Sequence, residues 1–199
     1  MINEKFVLVG ALLNLIGSTT YAWNTFKGKT KPNRVTWFLW ALAPLIAFTA
    51  QINEGVGLQS LMTFMVGFGP LMVFIASFLN KKAFWAITKL DIVCGVLSVF
   101  ALILWAITGD GNVAIILAIA ADLLAGVPTL MKSYKAPETE HPDVFRNGAI
   151  SAGIVLLTID TWTFANYGFA LYILLICLTL YGLIRFKLGK LITRQFSKV

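Results

Sequence analysis

Charge is scarce in this chain: 13% of its 199 residues are Asp, Glu, Lys or Arg, while 58% are hydrophobic. A soluble domain of that size leaves most of its residues facing water and cannot bury so much apolar surface. Lipid is the solvent that suits such a composition. Histidine occurs once, as His141 in a polar stretch, which excludes a histidine-built metal centre or nucleophile triad within the apolar segments. Cysteine occurs twice. Cys94 and Cys177 both stand inside apolar runs and read as small core residues rather than as a disulfide or metal ligands. No nucleophile–base pair suggests an enzyme, no cofactor is expected, and no lysine lies deep in an apolar run where it could hold a retinal. The net charge of +7 would suit nucleic acid, yet the basic residues sit in short gaps between apolar runs. That placement is the membrane pattern, so the expected partners are a lipid bilayer and a small-molecule solute, not nucleic acid.

What the chain has in abundance is long apolar runs. A membrane-spanning helix needs about 20 such residues. Residues 6–26, 35–52, 57–79, 84–107, 113–131, 144–159 and 161–186 qualify, which predicts an all-α transmembrane protein of seven spans. The sixth run is short and joined to the seventh by a tight turn; fusion of the two would reduce the count to six. The first run lacks a basic leader and a small-residue cleavage site, so it reads as a span and not a signal peptide. With the gap after span 1 placed inside, fifteen of the sixteen basic residues fall on the inner side and only Lys5 outside. The outer gaps carry Glu54 and Asp110. The expected protein is therefore multi-pass in the cell membrane, its amino terminus outside and its basic carboxyl tail in the cytoplasm.

An internal repeat organises the spans. Thr25-Phe26-Lys27-Gly28, with Pro32 after it, is similar to Ser133-Tyr134-Lys135-Ala136, with Pro142 after it. The same register sets Asn14 against Asp122, and Gly67-Phe68 can be set against Gly168-Phe169. Both copies carry their basic loop on one side, so they are parallel. Two parallel copies of three spans require one extra crossing between them, which span 4 supplies. The expected organisation is a three-helix bundle over residues 1–80, a linker helix over 81–112, and a second bundle with the basic tail over 113–199. A solute site between the repeats follows, and a chain with both repeats encloses its own pathway, so a monomer suffices.

Gly126-Val127-Pro128-Thr129, late in span 5, precedes the basic Lys132-Ser133-Tyr134-Lys135. This resembles the signature of the SWEET sugar transporters and the wider PQ-loop superfamily, which share the 3+1+3 plan. The first repeat departs from it, with Thr19-Thr20-Tyr21-Ala22 in the place of the proline motif. Pro44 in span 2 is similar to a hinge proline of that family, and its counterpart near Gly153 is missing. The resemblance implies a transporter or facilitator of a small polar solute, a sugar or an amino-acid-like molecule, working by alternating access. A receptor of the same fold that binds without transporting is the alternative.

Asp122 is the sharpest candidate, since an ionised carboxylate near the bilayer centre is costly without a partner. It is assigned to substrate binding and proton coupling, with Asn14 at matching depth beside it. An Asp122–Asn14 hydrogen bond fastening span 1 to span 5 is the plainer reading. The stretch Asp122-Leu123-Leu124-Ala125-Gly126 resembles the acidic span-5 segment of proton-coupled lysosomal members of the superfamily. Asp160 and Asn166 resemble the SWEET outer-gate acid and substrate-binding asparagine. Gln59, Thr63, Gly67 and Pro70 share one helix face, which lines a cavity or a helix interface. Trp40, with Trp37 near it, is placed over a pocket or in an interfacial belt. Pro44, Pro70 and Pro128 are hinge candidates. The aromatic residues between Trp162 and Tyr172 are left open to face lipid, Asp91 is read as snorkelling within span 4, and Ala136 to Pro142 reads as a solvated turn.

Overall fold

The computed structural model describes residues 2–80, 85–108 and 110–189. Lys81, Lys82, Lys190, Arg194 and Lys198 of the charge argument lie outside them. Seven α-helices form among the described residues, with no strand: α1 (Phe6–Phe26), α2 (Arg34–Asn53), α3 (Ser60–Leu79), α4 (Lys89–Thr108), α5 (Gly111–Lys135), α6 (Pro142–Thr158) and α7 (Phe164–Arg185). Five of them, α1, α2, α3, α5 and α7, are long and apolar enough to cross a membrane. Their outer faces carry exposed Leu12, Ile16, Phe38, Ile75, Ile116 and Leu175. Exposed apolar residues on helices of this length suit a lipid surround.

Local chemistry sets the helix starts. The Asn33 side chain accepts from the amides of Val35 and Thr36 to cap α2, and that of Asp110 accepts from Val113 at 2.9 Å to cap α5. Pro142 occupies the first position of α6, where its missing amide costs nothing. The fourth run begins later than its apolarity suggests, because Thr88 and Asp91 form a reciprocal cap. The Thr88 hydroxyl and amide donate to the Asp91 carboxylate, and the Asp91 amide returns to the Thr88 hydroxyl. Asn33 also donates to Asp91. Asp91 therefore does not snorkel: it is buried at the first turn of α4 and tied to the loop before α2.

The helices close into a ring. α1 packs on α3, α3 on α2, α2 on α5, α5 on α7, α7 on α6, and α6 returns to α1, while α4 lies outside against α5 and α2. Among the described residues the backbones of α1 and α2 do not adjoin, nor do those of α5 and α6, although the Tyr21 and Trp37 rings meet across the first gap. Small residues permit the close approaches, as membrane helices require where lipid offers no hydrophobic drive. A Cβ at Gly69 would lie 2.8 Å from the Ser18 Cβ, one at Gly67 would lie 2.7 Å from the Leu45 Cγ, and one at Gly17 would lie 3.1 Å from the Val144 Cα. Gly67 therefore serves the α2–α3 seam and Gly69 the α1–α3 seam. Gly67→Val is expected to force these helices apart at about 1–3 kcal/mol. Thermal unfolding in detergent reads this as a lowered midpoint, and an unchanged midpoint would show the seam to be loose.

Candidate functional site

At the centre of the ring lies a cavity of about 60 Å³. All six ring helices contribute to its wall: Asn14 from α1, Trp37 and Trp40 from α2, Pro70 from α3, Asp122 from α5, Phe145 from α6 and Cys177 from α7. A larger trough of about 870 Å³ between α2, α3 and α4 opens on the apolar outer surface, and its walls are mainly Phe, Val and Ile. The central cavity is the better candidate because the buried acid Asp122, with one oxygen unpaired, stands in its wall.

Asp122 is 3% exposed. Its Oδ2 accepts from the Tyr172 hydroxyl at 2.6 Å, and its Oδ1 is buried without a hydrogen-bond partner among the described residues. The indole of Trp40 donates to the Asp122 backbone carbonyl at 3.0 Å, and the Thr36 hydroxyl donates to that of Ala125 at 2.8 Å. Together they fasten α2 to α5 beside the acid. Gly126 makes room for the Trp40 ring, since a Cβ there would lie 3.1 Å from it. The Trp37 Nε1 is a buried donor on the side of the Tyr21 hydroxyl. Buried polar groups of this kind are costly unless something answers them.

The ring is closed at both ends, by different means. At the end that carries the basic loops, Lys132 and Glu140 form an ion pair at 2.5 Å, with side chains 1% and 0% exposed. The Tyr21 hydroxyl donates to the other Glu140 oxygen, and the Lys132 ammonium also donates to the Lys31 carbonyl. Tyr21 rests on Trp37, their ring centroids 4.5 Å apart, so this cluster roofs the cavity. It joins α1, the α1–α2 loop, α5 and the α5–α6 loop. At the opposite end the ties are neutral. Gln51 donates to the Ala165 carbonyl at 3.1 Å, and Gln59 to that of Thr158 at 3.4 Å.

Asn14, Asp122, Trp40 and Pro70 meet at the cavity as the sequence suggests. Asn14 accepts from Ser18 at 3.4 Å, and it does not bond Asp122, because α1 and α5 do not pack together. Tyr172 holds the acid instead. Gln59 belongs to the far closure, and Thr63 is buried on α3 away from the cavity wall. Asn166 spends its amide on the Thr161 carbonyl and the Thr163 hydroxyl in the α6–α7 turn, outside the cavity wall. Asp160 is exposed in the same turn. Pro44, Pro70 and Pro128 lie inside α2, α3 and α5. Proline deletes the bond to the carbonyl four residues earlier, so Pro44 and Pro70 free the carbonyls of Trp40 and Val66, both cavity residues. The stretch Ala136 to Pro142 is not a solvated turn throughout, since Glu140 is drawn inward by Lys132 and Tyr21.

Comparison with family models, with curated proteins and with solved structures finds no match, so the functional reading stands on these residues alone.

Tyr172→Phe is expected to leave both Asp122 oxygens unanswered and to cost about 1–3 kcal/mol. The loss should shrink in an Asp122→Leu background, and additivity in that double-mutant cycle would deny the interaction. At the basic end, Lys132→Met strands a buried carboxylate at about 3–5 kcal/mol, whereas Lys132→Met with Glu140→Met should recover much of it. Thermal unfolding in detergent measures both, and a double variant as unstable as the single would contradict the pairing.

Proposed function

We propose that the chain is a secondary transporter or facilitator of a small polar solute, working by alternating access on the 3+1+3 plan of the SWEET and PQ-loop transporters. The observation that carries the reading is a closed six-helix ring around a buried acid, Asp122, one of whose oxygens awaits a partner. The contact order supports the repeat: exchanging α1, α2 and α3 for α5, α6 and α7 leaves the cyclic sequence of the ring unchanged. On this reading all seven helices cross the membrane, α4 is the linker, and residues 1–80 and 113–199 are the two moving halves. The basic end is cytoplasmic and the membrane is the cell membrane, with the amino terminus outside.

In the proposed cycle the halves rock about the cavity. Loss of the Lys132–Glu140–Tyr21 cluster opens it inward, and loss of the Gln51 and Gln59 ties opens it outward. The freed carbonyls behind Pro44 and Pro70 give α2 and α3 the means to bend beside the solute. The cavity of about 60 Å³ is well below the roughly 300–1,000 Å³ of ordinary ligand pockets. On this reading the cavity is too small for the solute as it stands, and solute enters only as one end opens. Asp122 is the group through which a proton gradient would drive the cycle.

Uptake into proteoliposomes tests the reading, with sugars, amino acids, nucleosides and amines offered with and without an inward proton gradient. Wild type is expected to accumulate one class, and Asp122→Asn to lose the response to the gradient. Specific binding with no uptake of any class would replace transport by a receptor of the same fold.

A further inference from the structure

We infer that the solute is an organic cation, seated with its charge on Asp122 and its body in a box of aromatic rings. The inference rests on the transport reading above and names the chemistry that the same cavity selects.

The argument is one of elimination among ligand charges. Asp122 is the one carboxylate in the cavity wall, and no Lys, Arg or His side chain lines it among the described residues. An anionic solute would meet a carboxylate in a low-dielectric setting with no basic group to offset the repulsion. A neutral apolar solute would leave Asp122 Oδ1 as it stands, buried and unpaired. A polyhydroxy solute needs a donor or acceptor for each hydroxyl it buries. The wall offers few: Asn14, the free oxygen of Asp122 and the carbonyls of Trp40 and Val66 behind Pro44 and Pro70, the Trp40 indole being engaged by the Asp122 carbonyl. A cation answers the one charge present.

The surrounding rings suit the same ligand. Trp37 and Trp40 meet at 75° with centroids 5.6 Å apart, and Trp40 and Phe145 meet at 75° with centroids 6.2 Å apart. Three rings, each near a right angle to the next, make the walls of a box, and indole faces are the strongest aromatic partners for a cation. A solute of this kind is larger than the cavity, so it enters with the helices parted, as the transport cycle already demands.

Choline and its uncharged carbon isostere, 3,3-dimethylbutan-1-ol, differ in the ammonium nitrogen alone and isolate the claim. Binding to the intact chain in lipid nanodiscs is measured by calorimetry, with tetramethylammonium as a second cation. Choline is expected to bind about tenfold or more tighter than the alcohol, and tetramethylammonium to compete with it. Asp122→Asn should erase the preference for charge, and Trp40→Phe should weaken choline severalfold while the preference survives. Asp122→Asn keeps the side-chain volume, whereas Trp40→Phe gives up the larger ring and its bond to the Asp122 carbonyl, and an unaltered elution volume in detergent shows that each variant is folded. Equal binding of choline and the alcohol, or no choline binding up to millimolar concentrations, overturns the inference. Choline bound but not accumulated in proteoliposomes leaves the cation site standing and removes transport. Accumulation of a sugar without choline binding does the reverse.

Discussion

A carboxylate buried among apolar helices is the constraint on which the rest of this structure turns. Asp122 lies midway along α5, 3% exposed, and no basic side chain lines the cavity beside it among the described residues. The surrounding fold supplies a partial answer. α7 brings the Tyr172 hydroxyl to one oxygen, and α2 brings Trp40 and Thr36 to the backbone carbonyls of the same turn. These contacts make α5 the hinge-post between α2 and α7. The other seams of the ring are then set by small residues, Gly17, Gly67 and Gly69, whose lack of side chain lets α1, α2, α3 and α6 draw together. The second oxygen of Asp122 remains unanswered, and a membrane protein does not bury such an atom without cost.

The two ends of the ring differ in a way that bears on the proposed cycle. A buried ion pair with a phenol on its second oxygen closes one end, and two neutral amide-to-carbonyl bonds close the other. Desolvation has already been suffered by Lys132 and Glu140, so parting them returns both charges to water and offsets part of the lost attraction. Breaking the amide ties costs less on each count. Neither closure is so strong that a solute with differential affinity could not shift the balance.

Much of the fold was legible because lipid imposes a coarse code. Apolar runs of span length located the helices to within a few residues, and the exception at α4 arose from a capping pair, Thr88 and Asp91, that an apolar count does not register. The candidate site was legible in part. Asp122 announced itself as an acid in an apolar run, and the repeat brought Asn14 to the same cavity. Tyr172 was hidden because aromatic residues crowd the start of α7 and any of them could face lipid. Glu140 was hidden because a charged residue in a Pro-rich loop reads as solvated, and only the return of the α5–α6 loop onto α1 reveals otherwise. Asn166 was overread, since a local turn satisfies an amide as well as a solute does.

Cys177, a native thiol in the cavity wall, reports directly on whether the ring opens alternately to the two sides. With Cys94→Ala as background, the rate of its labelling by a membrane-impermeant thiol reagent would be measured from each face of a reconstituted vesicle. The account predicts slow labelling from both faces. In Glu140→Gln, labelling should become faster from the face that carries the basic loops and slower from the other. Labelling confined to one face, and untouched by the substitution at Glu140, would contradict alternating access.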